Sequence, residues 1–178
     1  MAKALSGTVK CSISVTHTFT ATDGIQATDN IIFTPSLNVS SYLTLASQAG
    51  VYHISGALAS ASNICFSLEA ATMPDKFGSN TRFSQIFYIM LRNTSTNSAV
   101  PLRIFGGHSG EGTQEFSAPV VKLSGGVVIY GNGSWLAMAN RTTANKYTVT
   151  AANDELGISN MHATASASYH IVLIGDKL

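Results

Sequence analysis

Charged side chains are scarce in this chain of 178 residues. Asp, Glu, Lys and Arg together make up 11% of it, whereas an ordinary soluble domain has about 25%. The ten basic residues are dispersed and the net charge is only +1, so the basic stripe that phosphate binding requires is missing. We therefore predict no nucleic-acid partner.

Long apolar runs are missing as well. The densest run is IFYIML at residues 86–91, whereas a membrane-spanning helix needs roughly 20 consecutive apolar residues. The first ten residues, MAKALSGTVK, contain no apolar segment typical of a secretory signal. We predict no membrane partner and synthesis in the cytoplasm of the producing cell. Because 45% of the chain is hydrophobic, it is also a poor candidate for disorder.

Cysteine is almost absent. Cys11 and Cys65 are the two in the chain, and neither has the paired spacing of a zinc site. Two cysteines are too few for a disulfide framework, and buried hydrophobic roles suit both side chains. A single bridge between Cys11 and Cys65 remains the alternative.

The pattern that is present is alternation with a period of two, which indicates half-buried β-strands. Residues 8–20 and 161–174 alternate apolar with polar side chains. Turn signals separate further candidate strands near 30–34, 42–46, 51–59, 62–69, 83–92, 100–105, 114–123, 127–131, 134–140 and 146–151. At most one helical turn is expected, around residues 153–156. Many short strands separated by turn residues predict an antiparallel β-sandwich of jelly-roll type with about ten strands. We expect one domain over residues 1–178, with an N-terminal strand region at about 1–34.

The candidate strand at 83–92 is apolar on both faces. Strict alternation places Phe83, Phe87, Ile89 and Leu91 on one face and Ile86, Tyr88 and Met90 on the other. Residues 169–174 have the same two-sided character. Either loops of the same chain cover the outer side or a neighbouring subunit does. Because two strands share the feature, we favour a subunit interface, with these candidate residues: Ile86, Tyr88, Met90, Tyr169 and Ile171.

No residue set predicts catalysis, a cofactor or a metal site. The glycine-rich segment 106–112, GGHSGEG, lacks both the Lys-Ser/Thr ending of a phosphate loop and the last glycine of a nucleophile elbow. Asp154 and Glu155 fit a solvated turn. The five histidines lack the short spacings of a zinc site, although a ring of symmetry-related His17 or His53 on an oligomer axis is an open alternative. We predict that the protein is not an enzyme.

Two aromatic residues are candidate ligand contacts. Tyr130 and Trp135 flank the turn at residues 131–134, where an aromatic ring can stack on a sugar. A core position for Trp135 is the competing interpretation. A lectin-like or receptor-binding module would use these rings together with the loops 73–82 and 106–113, and its partner would be a glycan.

Four short segments resemble the trimeric jelly rolls of the tumour necrosis factor and complement globular-head type. They are AGVYHISG at 49–56, MLRN at 90–93, PVVKLSGGVV at 119–128 and SYHIVLI at 168–174. Together they span roughly residues 40–174. The resemblance implies a jelly roll that forms a homotrimer by packing the outer faces of one sheet.

The composition also resembles that of small virion proteins of tailed bacteriophages, which combine jelly rolls with much Ala, Ser, Thr, Asn and Gly. We therefore predict a structural virion protein: an oligomeric, trimeric auxiliary subunit such as a capsid decoration or cement protein, or a tail or fibre component. Its partners would be copies of itself and other virion proteins. The lectin-like module is the alternative.

Overall fold

The computed structural model describes residues 8–10, 13–20, 26–33, 36–38, 49–70, 73–74, 80–106, 114–115, 126–138 and 147–178. These residues contain strands and connecting turns, and no helix among them is long and apolar enough to cross a membrane. The strands in chain order are β1 (Thr8–Lys10), β2 (Ile13–Thr20), β3 (Gln26–Phe33), β4 (Ser36–Asn38), β5 (Ala49–Leu58), β6 (Asn63–Ser67), β7 (Met73–Pro74), β8 (Asn80–Thr81), β9 (Phe83–Asn93), β10 (Leu102–Gly106), β11 (Gln114–Glu115), β12 (Val127–Ile129), β13 (Ser134–Met138), β14 (Tyr147–Thr148), β15 (Asn153–Asn160) and β16 (Ala167–Lys177).

Two five-stranded sheets form the sandwich. Sheet 1 has the order β13-β9-β16-β5, with β14 also paired to β9. Sheet 2 has the order β11-β15-β10-β12, with β6 also paired to β15. All of these pairings are antiparallel except that of β11 with β15. The all-β antiparallel sandwich predicted from the alternation is confirmed.

Eight strands pair as a nested set. β5 pairs with β16, β6 with β15, β9 with β13, and β10 with β12, so the first strand of the set meets the last and the pairing continues inward. Two further ladders, β16 with β9 and β15 with β10, join these hairpin-like pairs into the two sheets. Successive strands of the set, except β10 and β12, therefore move between sheets, which places loops from distant parts of the chain at the same end of the sandwich.

The core lies between the two sheets. Its fully buried side chains come from both: Ile89, Leu91, Ile171 and Leu173 from sheet 1, and Leu102, Ile104, Leu156 and Ile158 from sheet 2. Tyr52 of β5 and Phe66 of β6 meet edge to face, with ring centroids 5.8 Å apart. Full burial of such side chains stabilises the fold by about 1.5–3 kcal/mol each.

A β-bulge interrupts the alternation of β9. Ile174 of β16 pairs with Tyr88, but the next residue, Gly175, pairs with Ile86, so Phe87 is the extra residue. A Cβ atom on Gly175 would collide with the Gln85 carbonyl oxygen, and the close approach of the two backbones therefore requires glycine there. The predicted faces of Ile86 and Phe87 were wrong for this reason. Ile86 packs in the core and Phe87 joins Tyr88 in a second apolar cluster.

Two other expectations about strands need correction. The segment 153–156, expected as a helical turn or a solvated turn, begins β15, a strand of sheet 2 that has neighbours on both sides. Of the expected strand at 8–20, the structure describes β1 and β2, which pair with different strands: β1 with β4 and β2 with β3. The candidate strand at 42–46 lies outside the described residues.

Two buried asparagines join the loops at one end of the sandwich. The Asn93 side-chain amide donates to the carbonyls of Val100 and Ile129, at 2.8 and 2.9 Å. The Asn160 amide donates to three carbonyls: those of Leu58, Ala59 and Ala165. Each amide thereby donates to the carbonyl of a strand's last residue, Ile129 of β12 or Leu58 of β5, and to carbonyls of the adjoining loops.

Candidate functional site

The outer face of sheet 1, which points away from sheet 2, carries aligned cross-strand rows of side chains. The first row consists of Tyr88, Ile174 and Val51, and the second of Leu136, Met90, Val172 and His53. The third row is polar and consists of Ser134, Arg92, His170 and Ser55. We call the first two rows the apolar rows. Their presence means that sheet 1 is apolar on both faces, as the sequence pattern of β9 and β16 predicts.

Burial is uneven across the apolar rows. Phe87, Tyr88 and Ile174 are 1%, 7% and 9% exposed, so atoms of the same chain already cover this part of the face. The neighbouring side chains, which pack against this cluster, remain partly exposed: Val51, Met90, Leu136 and Val172. The chain therefore covers one part of the face and leaves the adjacent part partly accessible.

Of the five candidate interface residues, Tyr88 and Met90 lie on the outer face. Ile86, Tyr169 and Ile171 lie in the core between the sheets, with exposures of 0%, 3% and 0%. The bulge at Phe87 turns Ile86 inward, and regular alternation along β16 points Tyr169 and Ile171 inward while Val172 and Ile174 point outward. A neighbouring subunit on this face would contact Val172 and Leu136, which the sequence interpretation did not select.

A histidine pair borders the apolar rows. His53 of β5 and His170 of β16 are diagonal neighbours on the outer face, because Val172 pairs with His53 and His170 pairs with Ser55. Their Nε2 atoms are 2.6 Å apart and their ring centroids 4.5 Å apart. In this hydrogen bond one Nε2 donates and the other accepts, which requires at least one neutral ring. The sequence analysis considered His53 only with its symmetry copies and did not connect it with His170.

The two candidate ligand-contact aromatics differ in exposure. Tyr130 is 62% exposed, and Val128, two residues earlier, is 42% exposed. Trp135 is only partly accessible and packs against the core between the sheets. The two rings therefore do not form a joint exposed platform. Of the candidate binding loops, residues 75–79 and 107–113 lie outside the described residues.

A polar cleft lies near the start of β15. It has a volume of about 240 Å³ and is lined by Glu69, Ala70, Arg82, Ala151 and Asp154. Asp154 is 7% exposed, so the sequence interpretation of a solvated turn is wrong, and its carboxylate accepts a hydrogen bond of 2.5 Å from the Ser67 hydroxyl. The Arg82 guanidinium donates to the Glu69 carbonyl oxygen. The side chains that line the cleft therefore include one cation and two carboxylates.

Metal ligands do not cluster in the part of the chain that the structure describes. Within it, no group of three or more His, Cys, Asp or Glu side chains comes together. Cys65 is half-buried on β6, whereas Cys11 lies outside the described residues. His17 lies on β2, whose side chains are likewise not described.

Comparison with known proteins identifies no family. The chain matches no protein-family profile and no curated protein. Among solved structures, it is similar to a chain of the capsid asymmetric unit of cyanophage Pam1, with 21% sequence identity and a TM-score of 0.35. The match covers 71% of this chain and 82% of the cyanophage chain.

Proposed function

We propose that this protein is an oligomeric structural subunit of a bacteriophage particle and that it has no catalytic role. The observation that carries the proposal is the accessible part of the apolar rows on sheet 1. Met90, Leu136 and Val172 lie side by side on three neighbouring strands and remain partly exposed. A contiguous apolar patch of this kind is typical of a surface that another protein covers.

The composition supports permanent contacts with neighbouring proteins. Charge makes up only 11% of the chain, and the polar row beside the apolar rows contains two serines. Desolvation of a charged side chain at an interface is costly, whereas serine hydroxyls can find local hydrogen bonds at lower cost. An abundance of hydroxyl and amide side chains therefore suits a subunit that is surrounded by protein.

We infer further that the fold is a jelly roll and that the oligomer is a homotrimer. The nested pairing of eight strands supports the first inference, because it is the pairing expected when one long antiparallel hairpin rolls into a sandwich. The resemblance to trimeric jelly rolls, which pack outer faces of one sheet around an axis, supports the second. In this arrangement the trimer contact would include Met90, Leu136 and Val172.

The oligomeric state tests the proposal directly. We expect the purified chain to sediment as a trimer at micromolar concentration and Met90→Lys or Leu136→Lys to dissociate it. A lysine at either position would place an ammonium group in a contact that excludes water. Val128→Lys is the matched control, because Val128 is exposed on sheet 2 and its replacement should leave the trimer intact.

The proposal is contradicted if the parent chain sediments as a monomer while circular dichroism shows that it is a folded β protein. If both outer-face variants remain trimeric, the trimer contact lies on another surface of the chain. The assignment to a phage particle has a separate test: mass spectrometry of purified particles from the source phage should detect the chain in stoichiometric amounts. Its absence from particles would reject the virion role even if the trimer forms.

Exposed Tyr130 keeps a second candidate function open for testing. A lectin-like module would use this ring, with Val128 beside it, as a platform for a sugar. Glycan-array binding that Tyr130→Ala abolishes, in a variant with unchanged thermal stability, would favour the module over the structural role.

A further inference from the structure

The histidine pair on sheet 1 brings two potential metal-ligating nitrogens to one point. The Nε2 atoms of His53 and His170 approach to 2.6 Å. Imidazole nitrogen is the most common protein ligand for zinc, copper and nickel, and a neutral ring binds through Nε2 or Nδ1. Two rings that converge through Nε2 form the start of a chelate.

The backbone holds the two rings in this relationship. β16 is paired along its length with β9 on one side and with β5 on the other, so the Cα position of His170 is set by two ladders. His53 lies on β5 within the ten-residue ladder to β16. Ligands placed on paired strands lose little conformational freedom when they bind a metal.

The distance between the rings suits a shared ion after a small adjustment. With metal–nitrogen bonds of about 2.0–2.1 Å, two ligand nitrogens on one ion lie about 2.9–3.3 Å apart. The rings would have to separate by roughly half an ångström, which a small rotation about the side-chain bonds accomplishes. Both histidines are partly exposed, so water can reach the ion and complete its coordination.

The surrounding charges limit the class of metal. Among the described residues of the three outer-face rows, Arg92 is the one with a permanent charge, and it lies opposite His170 in the ladder with β9. These rows contain no carboxylate that would attract Ca²⁺ or Mg²⁺, which prefer oxygen ligands. Nitrogen ligands without carboxylates favour Cu²⁺, Ni²⁺ or Zn²⁺.

We propose that His53 and His170 form a two-nitrogen site for a divalent transition-metal ion on the outer face of sheet 1. Both ligands belong to one chain, so the site needs no residue from a second copy and no virion role. Metal binding replaces the hydrogen bond between the two rings. If one of the rings is charged, metal binding also releases the extra proton of that ring.

The test is a titration of the folded full chain with Ni²⁺ followed by calorimetry and with Cu²⁺ followed by electron paramagnetic resonance. His17 and His108 are replaced by Gln in the parent for this experiment, because they would otherwise bind metal independently. We expect one Ni²⁺ per chain and a Cu²⁺ spectrum with splitting from two nitrogens. His53→Gln and His170→Gln should each weaken Ni²⁺ binding by at least about tenfold and reduce the Cu²⁺ splitting to one nitrogen.

His162→Gln is the matched control. His162 lies in the loop between β15 and β16, where its Nδ1 accepts hydrogen bonds from the backbone amides of Thr164 and Ala165. Its replacement should leave the metal affinity unchanged. The proposal is overturned if the parent shows no saturable binding, if both single variants keep the parental affinity, or if His162→Gln loses binding to the same extent. Thermal melts of each variant separate loss of a ligand from loss of the fold.

Discussion

The aromatic ring of Phe105 lies directly against the backbone of Gly157, its partner across the β10–β15 ladder. The ring lies on the outer face of sheet 2 and is only 9% exposed, and the Arg103 guanidinium lies 4.9 Å from its centroid. A Cβ atom at position 157 would come within 2.6 Å of the ring atom Cε2. Glycine in the interior of β15 therefore provides the space in which Phe105 is buried.

Gly157→Ala should lower the free energy of unfolding by about 1–3 kcal/mol, since the ring must either be compressed or swing into water. Chemical denaturation measures the loss. In a Phe105→Ala background the same substitution should cost less than about 0.5 kcal/mol, because the collision is gone. Equal costs in the two backgrounds would show that the ring is not the reason for the glycine.

Asn160→Ala should destabilise the protein by at least about 1–3 kcal/mol, because the carbonyls of Leu58, Ala59 and Ala165 would lose their shared donor. Asn160 is 1% exposed, so water cannot readily replace the amide. Denaturant unfolding provides the measurement. The control is Asn63→Ala at the exposed first residue of β6, for which we expect a change within about 0.5 kcal/mol. Similar losses from both substitutions would argue against the buried amide as the cause.

Stability should decline at alkaline pH. Burial raises the pKa of the Tyr52, Tyr147 and Tyr169 hydroxyls above the usual value of 10.0, and the nearby Tyr169 raises the pKa of Tyr52 further. Because the folded state disfavours the phenolate, this contribution is complete below the unfolded pKa of about 10 and is lost as the pH rises through the folded values. Denaturant unfolding between about pH 9 and 12, with phenolate absorbance recorded in parallel, should show the decline. Tyr52→Phe should make it shallower, and a flat profile in the parent would contradict the expectation.

Arg92→Gln should strengthen Ni²⁺ binding at the histidine pair by about two- to tenfold, because it removes a cation opposite His170. Calorimetry at low ionic strength measures the change. Arg92→Lys keeps the charge and should retain the parental affinity. If the two variants bind Ni²⁺ equally, the charge at position 92 does not influence the site.

Regular alternation made sheet 1 predictable, and local irregularities made parts of it unpredictable. Val172 and Ile174 alternate with Ile171 and Leu173, so the two apolar faces of β16 follow from the sequence. On β9 the same rule fails at Phe87, since a bulge depends on pairing with a distant strand rather than on the local pattern.

β15 was missed because its sequence, NDELGISN, contains few apolar residues and a central glycine. Its inward positions, Leu156 and Ile158, are the only local signal of a core strand. Gly157 lies between them, and a glycine normally weakens a strand assignment. The reason for a glycine at this position is the ring of Phe105, which belongs to another strand.

The histidine pair was beyond local sequence reasoning because 117 positions separate His53 from His170. The available signal was indirect. Each histidine lies at an outward position within a segment that resembles a strand of the trimeric jelly rolls, at 49–56 and 168–174. Pairing the first segment with the last would have placed the two rings on one face.

The nested pairing of the strands also determines when the sandwich can form during synthesis. β16 is the last described strand along the chain, yet it lies inside sheet 1 between β5 and β9. Until residues through Lys177 have left the ribosome, β5 lacks this partner and the apolar side chains of β9 lack part of their cover. Contacts between segments so far apart in sequence form slowly. Unfinished chains would therefore expose β5 and β9 for a long time. High expression rates should therefore promote aggregation through β5 and β9 before the last strand arrives.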